Sequence, residues 1–134
     1  MNDFRFVTNE AYAAFVKATG HLAPPYWLGG KVPAGTEAYP VVLVSAKDAD
    51  AYCAWAGARL PTEEEREGEV MDATRPPFLW EWTATMVGES RLVHCGSWDY
   101  EAWGLHASFR SRTDSTRRDA RIGFRCTPKE QVNG

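Results

Sequence analysis

A chain of 134 residues with 44% hydrophobic content can build one ordinary core and is too short to divide into two domains that each bury one. Its formal net charge of −3 creates no field that would gather a nucleic acid or an anionic membrane surface. No apolar run approaches the roughly 18–20 residues of a membrane span, and Met1-Asn2-Asp3-Phe4-Arg5 lacks the basic-then-apolar order of a secretory signal, so a cytoplasmic protein is expected.

Val7 to Gly20 is expected to be helical, because Tyr12, Phe15, Val16 and Thr19 recur at three- and four-residue steps. Thr8 or Asn9 can cap its start, and Gly20 supplies the stop. A Pro- and Gly-rich stretch follows, Pro24 to Gly35, which reads as a wrapped surface loop anchored by Tyr26 and Trp27. Val41 to Val44 is β-branched and apolar, which suits a short buried strand. Ser45 then caps a helix over Ala46 to Ala56, with Asp48 three residues on completing a capping box. Ala49, Tyr52, Cys53 and Ala56 share one face of it, so Cys53 should point inward. Thr62 and Glu65 form a second capping box, starting a short helix that ends before Pro76.

From Phe78 onward the pattern changes to short aromatic and β-branched runs, Leu79 to Ala84, Arg91 to Cys95 and Arg121 to Cys126, which read as strands. The expectation is a single α+β domain over 1–134, with its core in 7–126, two helices first and a small irregular antiparallel sheet after. An aromatic fraction of 13% fits a fold with little regular structure, covered by large flat side chains.

Chemistry-bearing residues are sparse. Cys53, Cys95 and Cys126 show no paired zinc-type spacing and allow one disulfide at most. His21, His94 and His106 are far apart, and the neighbours His94 and Cys95 point to opposite faces of a strand, so no metal triad is expected. There is no Gly-x-Ser-x-Gly elbow and no phosphate loop. The acidic stretch Glu63, Glu64, Glu65, Glu67, Glu69, Asp72 and the Arg-rich stretch 110–125 read first as solvated faces.

Five motifs occur in order: Val7-Thr8-Asn9; Ala51-Tyr52-Cys53-Ala54-Trp55-Ala56-Gly57-Ala58-Arg59-Leu60-Pro61-Thr62-Glu63; Trp80-Glu81-Trp82-Thr83; Gly96-Ser97-Trp98; and Gly123-Phe124-Arg125-Cys126. Together they resemble the sulfatase-modifying-factor family, which includes the formylglycine-generating enzymes. The resemblance implies the family's variant of the C-type-lectin fold. It also implies a shortened member, since only six residues precede Val7 and Arg66 to Leu79 replaces a normally longer stretch.

In the resembled enzymes two cysteines shortly after Gly-Ser bind copper(I) as thiolates and oxidise a substrate cysteine. Soft sulfur is what copper(I) demands. The matching places fall on Tyr100 and Leu105, so the resemblance is read as a member without the catalytic cysteine pair and without copper-dependent oxidase activity. It also makes Glu81 a calcium candidate, but Pro76 and Pro77 stand where the family has an Asn-Gly pair, and calcium wants six to eight oxygens. No cofactor is therefore expected. A further branch of the family uses three His on an attached helical bundle to hold iron, and no such bundle is present.

The resemblance places Trp98, Asp99, Tyr100, Trp103 and His106 where a substrate groove would be, and their mixed aromatic and polar character suits a ligand-binding patch. Arg110, Arg112 and Arg125 are the candidates for holding an acidic group on that ligand, against a structural role in tying loops, which is favoured in a loop-rich fold. It also sets Cys53 beside Cys126, whose sulfurs are expected in contact, bonded or as packed thiols, with Cys95 left over. The function expected is a non-catalytic module that binds a peptide, protein or glycan. The alternatives are an enzyme with a different metal or a partner-supplied centre, and a subunit or oligomer that joins a partner chain through an exposed sheet edge.

Overall fold

A computed structural model describes residues 6–62, 79–94 and 110–128. Helix α1 (Asn9–Thr19) begins where Thr8 Oγ1 accepts from the Ala11 N–H and ends at Gly20, whose φ of 77° lets its N–H reach the Val16 carbonyl. Only a residue tolerant of the left-handed region closes a helix this way. Helix α2 (Ala46–Trp55) starts from the expected reciprocal box: Ser45 accepts from the Asp48 N–H, and Asp48 accepts from the Ser45 N–H. No helix among the described residues is long and apolar enough to cross a membrane. The helix expected after Thr62 falls on residues outside those described.

The larger sheet has four strands in the order β4-β3-β2-β5: β2 (Trp80–Val87), β3 (Ser90–His94), β4 (Arg110–Asp114) and β5 (Ile122–Gly123). A two-stranded ribbon pairs β1 (Ala58–Arg59) with β6 (Thr127–Pro128). The sheet is mostly antiparallel, as expected, but β2 and β5 run parallel.

Three strand expectations need correction. Val41 to Val44 is not a strand: Leu43 sits at φ 60°, outside any ladder geometry. The segment is instead held by single bonds, Val41 N–H to the Val7 carbonyl at 2.9 Å and Leu43 N–H to the Asp119 carbonyl at 3.2 Å. Arg121 to Cys126 forms only the two residues of β5, with irregular chain before β6. Strand β4, by contrast, was not expected, because Arg-Ser-Arg-Thr-Asp has no apolar alternation; its register with β3, Ser90↔Asp114 to His94↔Arg110, supplies what propensity does not.

The core sits between the helices and the sheet, with the Tyr12 ring at its centre. Phe15, Tyr52, Trp27 and Phe124 surround it at centroid distances of 5.2, 5.8, 6.1 and 6.3 Å, three edge-on and one stacked, the arrangements that aromatic quadrupoles favour. Trp82 is fully buried and donates Nε1–H to the Val44 carbonyl at 3.0 Å. Asn9, buried at the head of α1, accepts from the Tyr26 hydroxyl at 2.6 Å and donates to the Thr36 carbonyl at 2.9 Å. That pins the Pro/Gly loop, with Trp27 buried beside it. Gly123 eases a close approach: a Cβ there would lie 3.0 Å from the Phe6 ring and 3.3 Å from the Val41 carbonyl oxygen.

Cys53 and Cys126 are joined in a disulfide with Cα atoms 5.8 Å apart, so the expected contact is a bond. It ties α2 to the chain just before β6 across 73 residues. In the chain-entropy treatment a loop of that length contributes about 4 kcal/mol. Changing Cys126 to Ser should therefore lower the unfolding free energy by about that amount in denaturant titration. Dithiothreitol should shift the wild-type midpoint to meet the variant's and leave the variant's own midpoint in place.

Candidate functional site

Glu81 lies on β2 opposite Gly123, and two residues further along the chain Arg125 turns back onto it. Its Nε–H donates to Glu81 Oε1 at 3.0 Å and its Nη2–H to Oε2 at 3.4 Å. Both side chains are buried, 0% exposed for Glu81 and 1% for Arg125, and the guanidinium also lies 5.6 Å from the centre of the Phe6 ring. Two parallel bonds suit the planar fork of an arginine. A calcium ion here would face a guanidinium in place of further oxygens, so the residues present do not fit that ion.

The second charged centre is Asp48, at the start of α2 and 7% exposed. One carboxylate oxygen, Oδ1, lies 2.8 Å from His21 Nε2. The other, Oδ2, accepts from the Ser45 N–H at 2.9 Å and from Arg118 Nε at 3.1 Å and Nη2 at 3.0 Å. Burial pushes the Asp48 pKa up, but the bonds from Ser45 and His21 and the charge of Arg118 outweigh it and hold the carboxyl below its ordinary value. The Tyr12 hydroxyl is pushed the other way, by burial first and then by the Asp48 charge, with Arg118 opposing. It stays protonated through the physiological range. On the surface, Asp119 is held at about 2, chiefly by the side-chain bond from Arg121.

Arg91 on β3 is buried, like Arg125. It donates to both oxygens of Asp50 on α2, at 3.3 and 2.9 Å, and to the Thr83 carbonyl at 3.2 Å. Asp48 is legible in the sequence as a cap, but its other partners His21 and Arg118 are not, nor is Asp50 as the partner of Arg91. These contacts span up to 70 residues, and no local spacing encodes them.

Of the residues read from sequence as a ligand patch, Trp98, Asp99, Tyr100, Trp103 and His106 lie outside the described residues, as do Cys95 and Leu105. Arg110 and Arg112 are brought together on β4, the outer strand of the larger sheet, with Arg112 exposed. Arg125, also weighed as an anion holder, is a core residue committed to Glu81.

Residues 3–71 match the sulfatase-modifying factor enzyme 1-like domain. The chain belongs to that family. A formylglycine-generating enzyme of Streptomyces coelicolor is 37% identical over 101 residues, covering 46% of this chain and 32% of that protein. Its counterpart in Thermomonospora curvata is also 37% identical, covering 46% of this chain and 33% of the relative. The inactive C-alpha-formylglycine-generating enzyme 2 of Bos taurus is 72% identical over 29 residues, covering 22% of this chain and 10% of that protein. The chain thus spans about a third of the length of the first two relatives.

Membership revises one expectation. The chain was read as a family member without the catalytic cysteine pair, yet it holds a joined pair resembling it, Cys53–Cys126. The expectation rested on the segment after Gly96-Ser97, whereas folding brings this pair together from α2 and the chain just before β6, 73 residues apart. As a disulfide the pair offers no thiolate, so in this state it does not fit copper(I). The scaffold is consistent with a non-catalytic paralogue of the formylglycine-generating enzymes.

The charged centres set three measurable outcomes. Asp48 has a depressed folded-state pKa, so its stabilising contribution is present above the unfolded value near 3.9 and is lost as pH falls through the folded value. Asp119 adds to the same window, from about 4 down to about 2. Asp48→Asn should cost about 2 kcal/mol at pH 7 and flatten the acid limb of a stability-versus-pH curve, measured by chemical denaturation. Glu81→Gln should cost about 3 kcal/mol, because it leaves a buried guanidinium facing a neutral amide. Millimolar calcium should leave the wild-type Tm within about 1 °C.

Proposed function

We propose that the chain is a non-catalytic binding module built on the formylglycine-generating-enzyme scaffold, which takes an extended peptide or protein segment along the edge of its larger sheet. One observation carries the reading: the segment 98–109 runs directly into β4, which among the described residues pairs only with β3. Among the described residues no strand pairs with its other edge, and a peptide would add there through backbone N–H and C=O groups. Arg112, exposed on that strand, favours an acidic group on the ligand.

Two further observations support the absence of catalysis. The cysteine pair is joined, and Cys53 is fully buried against the aromatic core, an arrangement suited to holding structure. The relatives include proteins named as inactive formylglycine-generating enzymes, in Bos taurus and Mus musculus, at 72% and 75% local identity. Because the chain covers about a third of the relatives named formylglycine-generating enzymes, the activity in that name is not carried over to it.

The test has two arms. A Cys-x-Pro-x-Arg peptide is incubated with the protein, copper(I) and air, with and without a thiol reductant. Its mass is expected to stay unchanged, and a loss of about 18 Da at the cysteine, the change that formylglycine formation implies, overturns the reading. In the second arm, fluorescence anisotropy compares extended acidic, neutral and basic peptides. Acidic peptides should bind best, and Arg112→Glu should weaken them roughly tenfold, the size of one charge-assisted contact. Equal binding by all three classes, or by none, sinks the sheet-edge assignment.

A further inference from the structure

Met86 and Arg91 face each other across the β2–β3 hairpin as register partners, next to the irregularity between Trp82 and Met86. The Arg91 guanidinium is fixed on several sides: Nη1 donates to Asp50 Oδ1 and the Thr83 carbonyl, and Nη2 to Asp50 Oδ2. Its remaining edge, Nε–H, points at the Met86 sulfur at 3.1 Å. A thioether is the weakest acceptor in this set, so a buried cationic donor is matched there to a poor partner. Met86 is 51% exposed while Arg91 is 7% exposed, so the methionine side chain meets solvent while the arginine behind it is buried.

We propose that Met86 is a methionine-sulfoxide site, oxidised by hydroperoxides, whose oxidised form is stabilised by Arg91. In the reaction a sulfur lone pair attacks the outer peroxide oxygen, the O–O bond breaks and an S–O bond forms. Sulfur is oxidised by two electrons, and the peroxide is reduced to water or an alcohol. The sulfoxide oxygen is a strong, polarised acceptor. A rotation at the end of the flexible Met86 side chain brings it to the waiting Nε–H, turning a weak N–H···S contact into a charge-assisted N–H···O bond. Oxidation of a core methionine ordinarily disrupts packing. Here it tightens the hairpin onto α2, because the same guanidinium holds Asp50. A sulfoxide reductase drawing on thiols would reverse the change, which makes the site a peroxide-responsive clamp.

The experiment treats wild type and Met86→Leu with graded hydrogen peroxide, locates added oxygen by peptide mass spectrometry and records Tm. Comparing the two proteins cancels oxidation at Met1, Met71 and the cysteines. Met86 should gain one oxygen, and the treated wild type should rise by about 1–4 °C relative to treated Met86→Leu. Met86→Gln, which places a carbonyl near the sulfoxide oxygen, should match or exceed untreated wild type without any oxidant. The proposal is overturned if treated wild type falls below treated Met86→Leu, if Met86 stays unmodified at doses that oxidise Met71, or if Met86→Gln is less stable than Met86→Leu.

Discussion

The carboxylate of Asp48 is the point through which three otherwise separate parts of the chain are held in register. It caps α2 through the Ser45 N–H, receives His21 from the loop after α1, and receives Arg118 from the loop between β4 and β5. A buried carboxylate without partners is pushed toward neutrality, so these donors are what keep it ionised. Its charge in turn contributes to keeping the neighbouring Tyr12 hydroxyl neutral, which suits a ring at the centre of an aromatic core. Capping, loop docking and core packing thus depend on one side chain.

The rest of the architecture closes around that centre by long-range links. Val7 bridges Val41 and Phe124 through backbone bonds of 2.9 Å each, placing the entry to α1 between the irregular segment before α2 and the chain after β5. The disulfide Cys53–Cys126 fastens the same neighbourhood from the helix side, and Glu81–Arg125 fastens it from the sheet side. Short strands and a two-residue ribbon would be marginal alone. Here their stability derives from these cross-links and from the rings packed between them.

Much of the fold was legible because its signals are local. The caps at Thr8 and Ser45, the stop at Gly20 and the inward face of Cys53 follow from spacing, and the structure reproduces them. What failed was non-local. Val41–Val44 has strand-forming residues, but Leu43 takes a left-handed φ as the chain turns into the α2 cap. Strand β4 has no strand pattern, yet it forms because β3 offers an edge. The family resemblance sets Cys53 and Cys126 in contact, but the likeness of the pair to the family's catalytic pair is not legible locally, because its members lie 73 residues apart. Of the candidate ligand patch, only Arg110 and Arg112 fall on described residues.

Several described residues of the family motifs help to hold the fold. Asn9 of Val-Thr-Asn ties down the Pro/Gly loop; Cys53 and Cys126 form the disulfide; Glu81 and Arg125 form the buried pair, and Trp82 reaches the Val44 carbonyl. Gly123 permits the close approach of Phe6. A match carried by such residues is therefore strong for scaffold and weak for chemistry, since each would be needed whatever ligand the domain takes. Specificity must then reside in what the scaffold leaves open. Among the described residues, Arg112 on β4 is such an open position, an exposed cation on the strand that ends the order of the larger sheet.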